Sequence, residues 1–437
     1  MIRVVFATMM AMAMAAPLKA AVEIQEVTSP GGIEAWLVQE DSIPFVSLQI
    51  RFLGGASLDP TGKRGVINLM TGLIEEGAGE MDATAFAEAR DGLAASFDFS
   101  VQDDALSVSV RMLSENRDEA SQLLRDALVN PRFDEDAVER VRAQVLSGIR
   151  SDATDPNSIA SHTFDAMVYG DHPYGSDNSG TLESVAALTR DDIVAAHRAV
   201  LARDRIYVGA SGDISAEELG LLLDSLLGGL PKTGAELPGT AELNITGGMT
   251  IVPFETPQSV AFFGHAGIPR DDPDFFAAFV ANEIFGGSGR QSRLSEEVRE
   301  KRGLTYGVGS YLVNFDNADM LLGQFASAND RVAQAIDVVK AEWARIAEEG
   351  VTEEELAEAK TYLTGAYPLR FDGNGPIARI IVGMQTIGLT PDYITTRNDR
   401  VEAVTLDDVK RVAARLFQPE NLRFVVVGKP DGLDSTN

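Results

Sequence analysis

Residues 188–213 read LTRDDIVAAHRAVLARDRIYVGASGD, and residues 404–429 read VTLDDVKRVAARLFQPENLRFVVVGK. They align without gaps at an offset of 404 − 188 = 216. Thr189 matches Thr405, Asp191-Asp192 matches Asp407-Asp408, and Gly212 matches Gly428. Ile193/Val409, Val200/Leu416 and Ile206/Leu422 keep the apolar register. A threonine followed by two acids and then apolar residues at helical spacing predicts an N-capped helix. The cap satisfies a free N–H, and the acids face the positive end of the helix dipole. The β-branched run that follows, closing on glycine, predicts a strand. A helix and a strand repeated in this way mark an internal duplication.

A second pair has nearly the same offset. PRFDEDAVERVRAQVLSGI at 131–149 resembles EGVTEEELAEAKTYLTGAY at 349–367, both acidic-started amphipathic helices. Two homologous halves therefore span 21–230 and 249–437. Between them, PKTGAELPGTAELNITGG at 231–248 is rich in Gly, Pro and Thr and reads as a linker. Alternating apolar patterns at 96–113 and 249–268 predict strands in both halves. Strands mixed with long helices, without a βαβ rhythm, predict an α+β class with largely antiparallel sheets.

The 437 residues exceed one ordinary domain, and a 45% hydrophobic, 24% charged composition suits large globular cores. Acids outnumber bases 66 to 37, a formal charge of −29, which repels phosphate backbones and anionic headgroups. Nucleic-acid and membrane-surface binding are therefore not expected. With no cysteine, disulfides, thiolate metal sites and cysteine nucleophiles are excluded together. Arg3, the apolar run Val4–Ala16, Pro17 and Ala20 predict a secretory leader over residues 1–20, too short to span a bilayer. The expectation is a soluble, exported, periplasmic protein.

Of the four histidines, His162, His172, His197 and His265, no two lie three to five residues apart, so no helix carries a metal-binding pair. His197 reads as a packing or surface residue and His172 as a turn residue in Gly170-Asp171-His172-Pro173-Tyr174-Gly175. No Gly-x-Ser-x-Gly elbow is present, and Phe285-Gly286-Gly287-Ser288-Gly289-Arg290 lacks the lysine of a phosphate loop.

Two segments resemble the M16 (pitrilysin/insulinase-like) metallopeptidases. One runs from Gly54-Gly55-Ala56-Ser57-Leu58-Asp59 to Gly65-Val66-Ile67-Asn68-Leu69-Met70-Thr71-Gly72-Leu73-Ile74-Glu75-Glu76-Gly77. The other is Ser292-Arg293-Leu294-Ser295-Glu296-Glu297-Val298-Arg299-Glu300-Lys301-Arg302-Gly303-Leu304-Thr305-Tyr306. The likeness extends to His172-Pro173-Tyr174-Gly175, to the duplicated helix and to almost the whole mature chain. In that family the first segment carries His-x-x-Glu-His, two zinc ligands and the glutamate that activates water, and a third ligand follows about 76 residues on. Here those positions are Asn68, Thr71, Gly72 and, at 72 + 76 = 148, Gly148. The resemblance thus implies a degenerate zinc site, with no metal or other cofactor in this chain.

The second segment keeps what the family uses: an arginine and, seven residues later, a tyrosine, here Arg299 and Tyr306. In the family they reach the zinc site from the C-terminal half, the guanidinium toward substrate and the phenol toward the oxyanion. The alternative is that Arg299 pairs with a helix acid such as Glu296 and Tyr306 fills a strand core. The resemblance implies a non-catalytic subunit of a heteromeric zinc peptidase. A separate His-x-x-Glu-His subunit would bring the zinc, peptides would be the substrates, and Gly286, Gly287 and Gly289 would form a substrate loop. A scaffold or peptide-binding protein with no part in hydrolysis is the competing expectation.

Overall fold

The computed structural model describes residues 22–287 and 292–436, so the predicted leader at 1–20 and Gly289 lie outside the described residues. In the first half these form β1 Gln25–Thr28, β2 Glu34–Gln39, β3 Phe45–Leu53, α1 Val66–Thr71, β4 Gly77–Ala78, β5 Met81–Asp82, α2 Ala83–Gly92, β6 Ser96–Val101 and β7 Ala105–Leu113. Then come α3 Arg117–Val129, α4 Glu135–Asp152, α5 Pro156–Tyr169, α6 Leu182–Ala187, α7 Arg190–Val200, β8 Ile206–Gly212 and α8 Ala216–Leu227. The second half contains β9 Gly248–Pro253, β10 Gln258–Ala266, α9 Phe275–Gly286, β11 Val308–Asn314 and β12 Asp319–Ala328. It continues with α10 Val332–Glu349, α11 Glu353–Ala366, α12 Asn374–Thr386, α13 Tyr393–Ala403, α14 Leu406–Leu416 and β13 Arg423–Gly428.

The repeated helix forms twice by the same local chemistry. Thr189 Oγ1 accepts from Asp192 N at 3.2 Å while the Asp192 carboxylate accepts from Thr189 N at 2.8 Å. Thr405 and Asp408 do the same at 3.1 and 3.0 Å. Each reciprocal cap satisfies two N–H groups that the helix leaves open. Each chain then turns into an inner strand ending at Gly212 or Gly428. Gly212 has φ +133°, and a Cβ there would overlap the Phe45 carbonyl, so only glycine closes this strand without strain.

The sheet orders are β1-β2-β8-β3-β7-β6 and β11-β12-β10-β13-β9. All neighbours are antiparallel except β2–β8 and β9–β13, each parallel. The α+β, largely antiparallel expectation therefore holds in both halves. On one face each sheet packs against its own helices. In the first half Leu48, Ile50 and Phe52 of β3 meet Ile67, Leu124 and Ile193; in the second, Phe263 and Phe424 meet Phe285, Trp343 and Phe417. Trp343 Nε1 donates to His265 Nε2 at 3.1 Å, and His265 Nδ1 bonds the Ala266 carbonyl at 2.7 Å. Burial holds His265 below its ordinary pKa, so it stays neutral. We expect Trp343→Phe to cost about 2–4 kcal/mol, read by chemical denaturation: it leaves a small cavity and an unpaired imidazole nitrogen.

On the opposite faces the halves exchange helices. Helix α5 places Phe164 and Val168 against Val260, Phe262, Val425 and Val427 of the second sheet. Helix α12 lies on β8 and β3, with Gln385 Nε2 donating to Val208 O at 2.8 Å. A Cβ on Gly209 would overlap the Ala378 carbonyl, so this glycine permits the close approach. The segment between Leu227 and Gly248 has neither helix nor strand, yet Ala241 N donates to Asn317 O at 2.9 Å and Asn244 N to Val168 O at 2.8 Å.

Candidate functional site

Helix α1 is set by one carboxylate. Asp59 accepts from Gly65 N at 2.7 Å and Ile67 N at 2.9 Å, which caps a helix whose own N-cap is a glycine at φ +91°. Arg64 lies against Asp59 at 3.4 Å and bonds Asp103 at 2.8 Å, and it donates to the carbonyls of Ala56, Pro173, Ser176 and Asp177. Burial still raises the Asp59 carboxyl to about 6, against the lowering by those N–H groups and by Arg64. Val66, Leu69, Met70 and Leu73 are all buried, so the apolar stripe read from the sequence packs as expected.

The positions that carry zinc ligands in the M16 pattern offer nothing to a metal. Asn68 is a half-buried amide, and the Thr71 hydroxyl donates to Ile67 O at 2.7 Å. Gly72 sits against Val141 of α4, and Gly148 faces open space on the same helix. Among the described residues no three His, Cys, Asp or Glu side chains come together as a metal site. The residues do not fit zinc, since two of the three ligand positions, Gly72 and Gly148, have no side chain, and Thr71 at the base position is committed to its own helix backbone.

Arg299 and Tyr306 lie on one rigid segment. Arg299 falls in a π-turn over Ser295–Glu300, where Lys301 N donates to Glu296 O. Such turns concentrate at functional sites. Arg293 pins the segment by a two-pronged pair to Glu355 at 2.6 and 2.8 Å, while Glu297 takes Lys301 and Arg302 at 2.7 and 2.6 Å. Leu304 is buried, and Thr305 Oγ1 donates to Ala326 O at 2.7 Å. Between these anchors Tyr306 is 89% exposed, immediately before β11, so it is not a strand core residue. Among the described residues Arg299 has a single ion pair, a 3.4 Å contact to Glu300; Glu296 pairs with Lys301 instead. Among the described residues no hydrogen bond or ion pair joins Arg299 or Tyr306 to α1 or α4. Gly307 and β11 border a cavity of about 400 Å³ that Asn157 of α5 reaches from the other half.

Two glycine expectations change. Gly286 is the last residue of α9, buried, and a Cβ there would overlap Ser310 of β11. It is a packing glycine, not part of a loop. Gly287 ends the helix against Glu283. His172 is a turn residue as read: its Nδ1 accepts from Tyr174 N and its Nε2 lies 3.1 Å from Gly239 O. His197 is buried, 2.9 Å from Leu128 O.

The sequence reading missed the acids where the halves meet. Asp104 bonds Tyr174 Oη and accepts from Asp316 N at 3.0 Å, tying β6–β7 to β11–β12. Asp165 on α5 is pushed up to about 7, first by burial and then by Asp103, while burial and then the Asp165 charge raise Tyr169 and Tyr311. No local pattern marks Asp165, whose surroundings come from three separate segments. A carboxyl at 7 in the fold and about 3.9 unfolded keeps a proton that unfolding releases, so stability falls as pH rises from about 4 to 7. We expect Asp165→Asn to stabilise by about 1–3 kcal/mol at pH 8 and by almost nothing at pH 4, measured by urea unfolding at both. An equal gain at both would refute the account.

Residues 187–363 match the family described as Peptidase M16 inactive domain. The non-peptidase homolog YmxG of Helicobacter pylori is 25% identical over 388 residues, 88% of this chain and 89% of its own. A Streptomyces coelicolor protein named as an uncharacterized zinc protease is 26% identical over 400 residues, 89% and 86% of the two chains. The crystal structure of a peptidase M16 inactive domain from Pseudomonas fluorescens superposes with a TM-score of 0.88 and 26% identity, covering 95% of this chain and all of that one.

Proposed function

We propose that this chain, similar over residues 187–363 to the Peptidase M16 inactive domain, is the non-catalytic subunit of a heteromeric M16-type zinc peptidase acting on peptides or small unfolded polypeptides. A second subunit with His-x-x-Glu-His supplies zinc and the attacking water. This chain supplies Arg299 to the substrate backbone and Tyr306 to the carbonyl oxygen as negative charge builds on it. One observation carries the reading: a tyrosine 89% exposed is held by anchored neighbours beside a lightly paired arginine, in a chain whose own α1 and α4 have no ligand to serve.

The same reading places the mature chain in the periplasm and its zinc in the partner. To test it, the tagged chain is purified gently from its own host, and the eluate is compared with the chain alone in a quenched-peptide cleavage assay. The expected result is an inert lone chain beside an eluate that holds a His-x-x-Glu-His chain and cleaves, with cleavage abolished by a chelator. A lone chain that cleaves, or an eluate with no such partner, overturns the proposal; the second outcome favours a scaffold or peptide-binding role.

A further inference from the structure

Away from α1 and the Arg299 segment, the first turns of α9, the turn at Pro368–Phe371, α12 and α13 enclose a cavity of about 290 Å³. Arg270, Arg370 and Arg397 line it with Phe279, Tyr367 and Tyr393. Arg270 stacks over Phe275 at 4.3 Å and donates to Tyr393 Oη at 2.8 Å. Arg397 is 5% exposed, stacked between Tyr367 at 4.7 Å and Phe279 at 5.4 Å, with one Nη donating to Leu363 O and Asn398 Oδ1. All three guanidiniums act on the Tyr367 phenol, which burial nonetheless pushes up to about 12.

What these arginines lack is a counter-ion. Among the described residues none of the three makes an ion pair with a carboxylate, although acids outnumber bases 66 to 37. Arg370 and Arg397 instead repel each other, and burial lowers the Arg397 pKa. A buried, unpaired cation is expensive, and stacking on aromatic rings recovers only part of that cost. Stacking also uses the faces of the guanidiniums and leaves edge N–H groups to meet an oxyanion.

We propose that this cavity binds a small organic anion, its carboxylate or phosphate held by Arg270, Arg370 and Arg397 and its planar or apolar body lying along the aromatic walls. A volume near 290 Å³ sits at the small end of ligand cavities and suits a body of one aromatic ring. The site is independent of the reading given to Arg299 and Tyr306.

The test is calorimetry on the full mature chain in a low-salt buffer free of small organic anions, with phenyl phosphate in one arm and N-acetylphenylalanine in the other. Benzyl alcohol serves as the neutral control. Saturable binding of at least one anion is expected at a Kd of about 1 mM or tighter, with none for the alcohol. Arg370 is exposed, so Arg370→Glu keeps the fold, checked by an unchanged unfolding midpoint, and weakens binding more than tenfold. Arg370→Lys keeps part of it. Binding in the phosphate arm alone identifies a phosphate ester, and in the carboxylate arm alone a carboxylate. No binding in either arm, or equal affinity in Arg370→Glu, overturns the proposal and leaves the arginines a packing role.

Discussion

On the proposed function, Tyr306→Phe is expected to lower peptide turnover by the complex with the zinc-bearing subunit about 10²–10³-fold, the loss that follows removal of one oxyanion donor. The substitution deletes only a hydroxyl. Tyr306 is 89% exposed in this chain, and among the described residues no hydrogen bond uses that hydroxyl. Folding and assembly are therefore unchanged, and the loss falls on kcat rather than on the yield of complex. Arg299→Ala removes a cation whose one ion-pair partner among the described residues is Glu300 at 3.4 Å, so its loss is expected to appear in kcat/KM with the fold likewise intact. Steady-state kinetics beside a sizing column decide the matter. Full turnover from an intact Tyr306→Phe complex would remove the phenol from the chemistry and leave the scaffold role standing.

The second large effect lies in stability. Arg64→Ala is expected to cost about 3–5 kcal/mol at pH 8, the range for breaking a buried charge pair. Asp59, Asp103 and four backbone carbonyls lose their donor at once. The cost shrinks at lower pH. Asp59 already sits near 6, loss of the guanidinium pushes it higher, and a protonated carboxyl needs no cation. Denaturation at pH 8 and pH 5 should therefore give a smaller loss at the lower value. A pH-independent loss would mean that the carbonyls, not Asp59, carry the effect.

What could be read from the sequence was local. The Thr-x-x-Asp caps close within three residues, and the strands after them end at glycines, so the duplication was legible without any tertiary knowledge. The missing ligands at 68, 72 and 148 and the missing base at 71 were equally legible, because no packing restores an absent side chain. Gly286 misled because consecutive glycines resemble a loop, whereas close contact with Ser310 demands one at the end of α9. Asp165, the Arg270–Arg370–Arg397 cluster and the exchange of α5 and α12 depend on segments far apart in the chain, and no short pattern encodes them.

That exchange bears on ancestry. A lone half would leave the outer face of its sheet, Val425 and Val427 in one case and the Gly209 region in the other, bare to water. Before the duplication was fused, a half-length chain would have needed a second copy to lend it a helix. The present polypeptide has the geometry of a homodimer joined end to end, and cutting it between residues 230 and 248 should yield two fragments that stay bound.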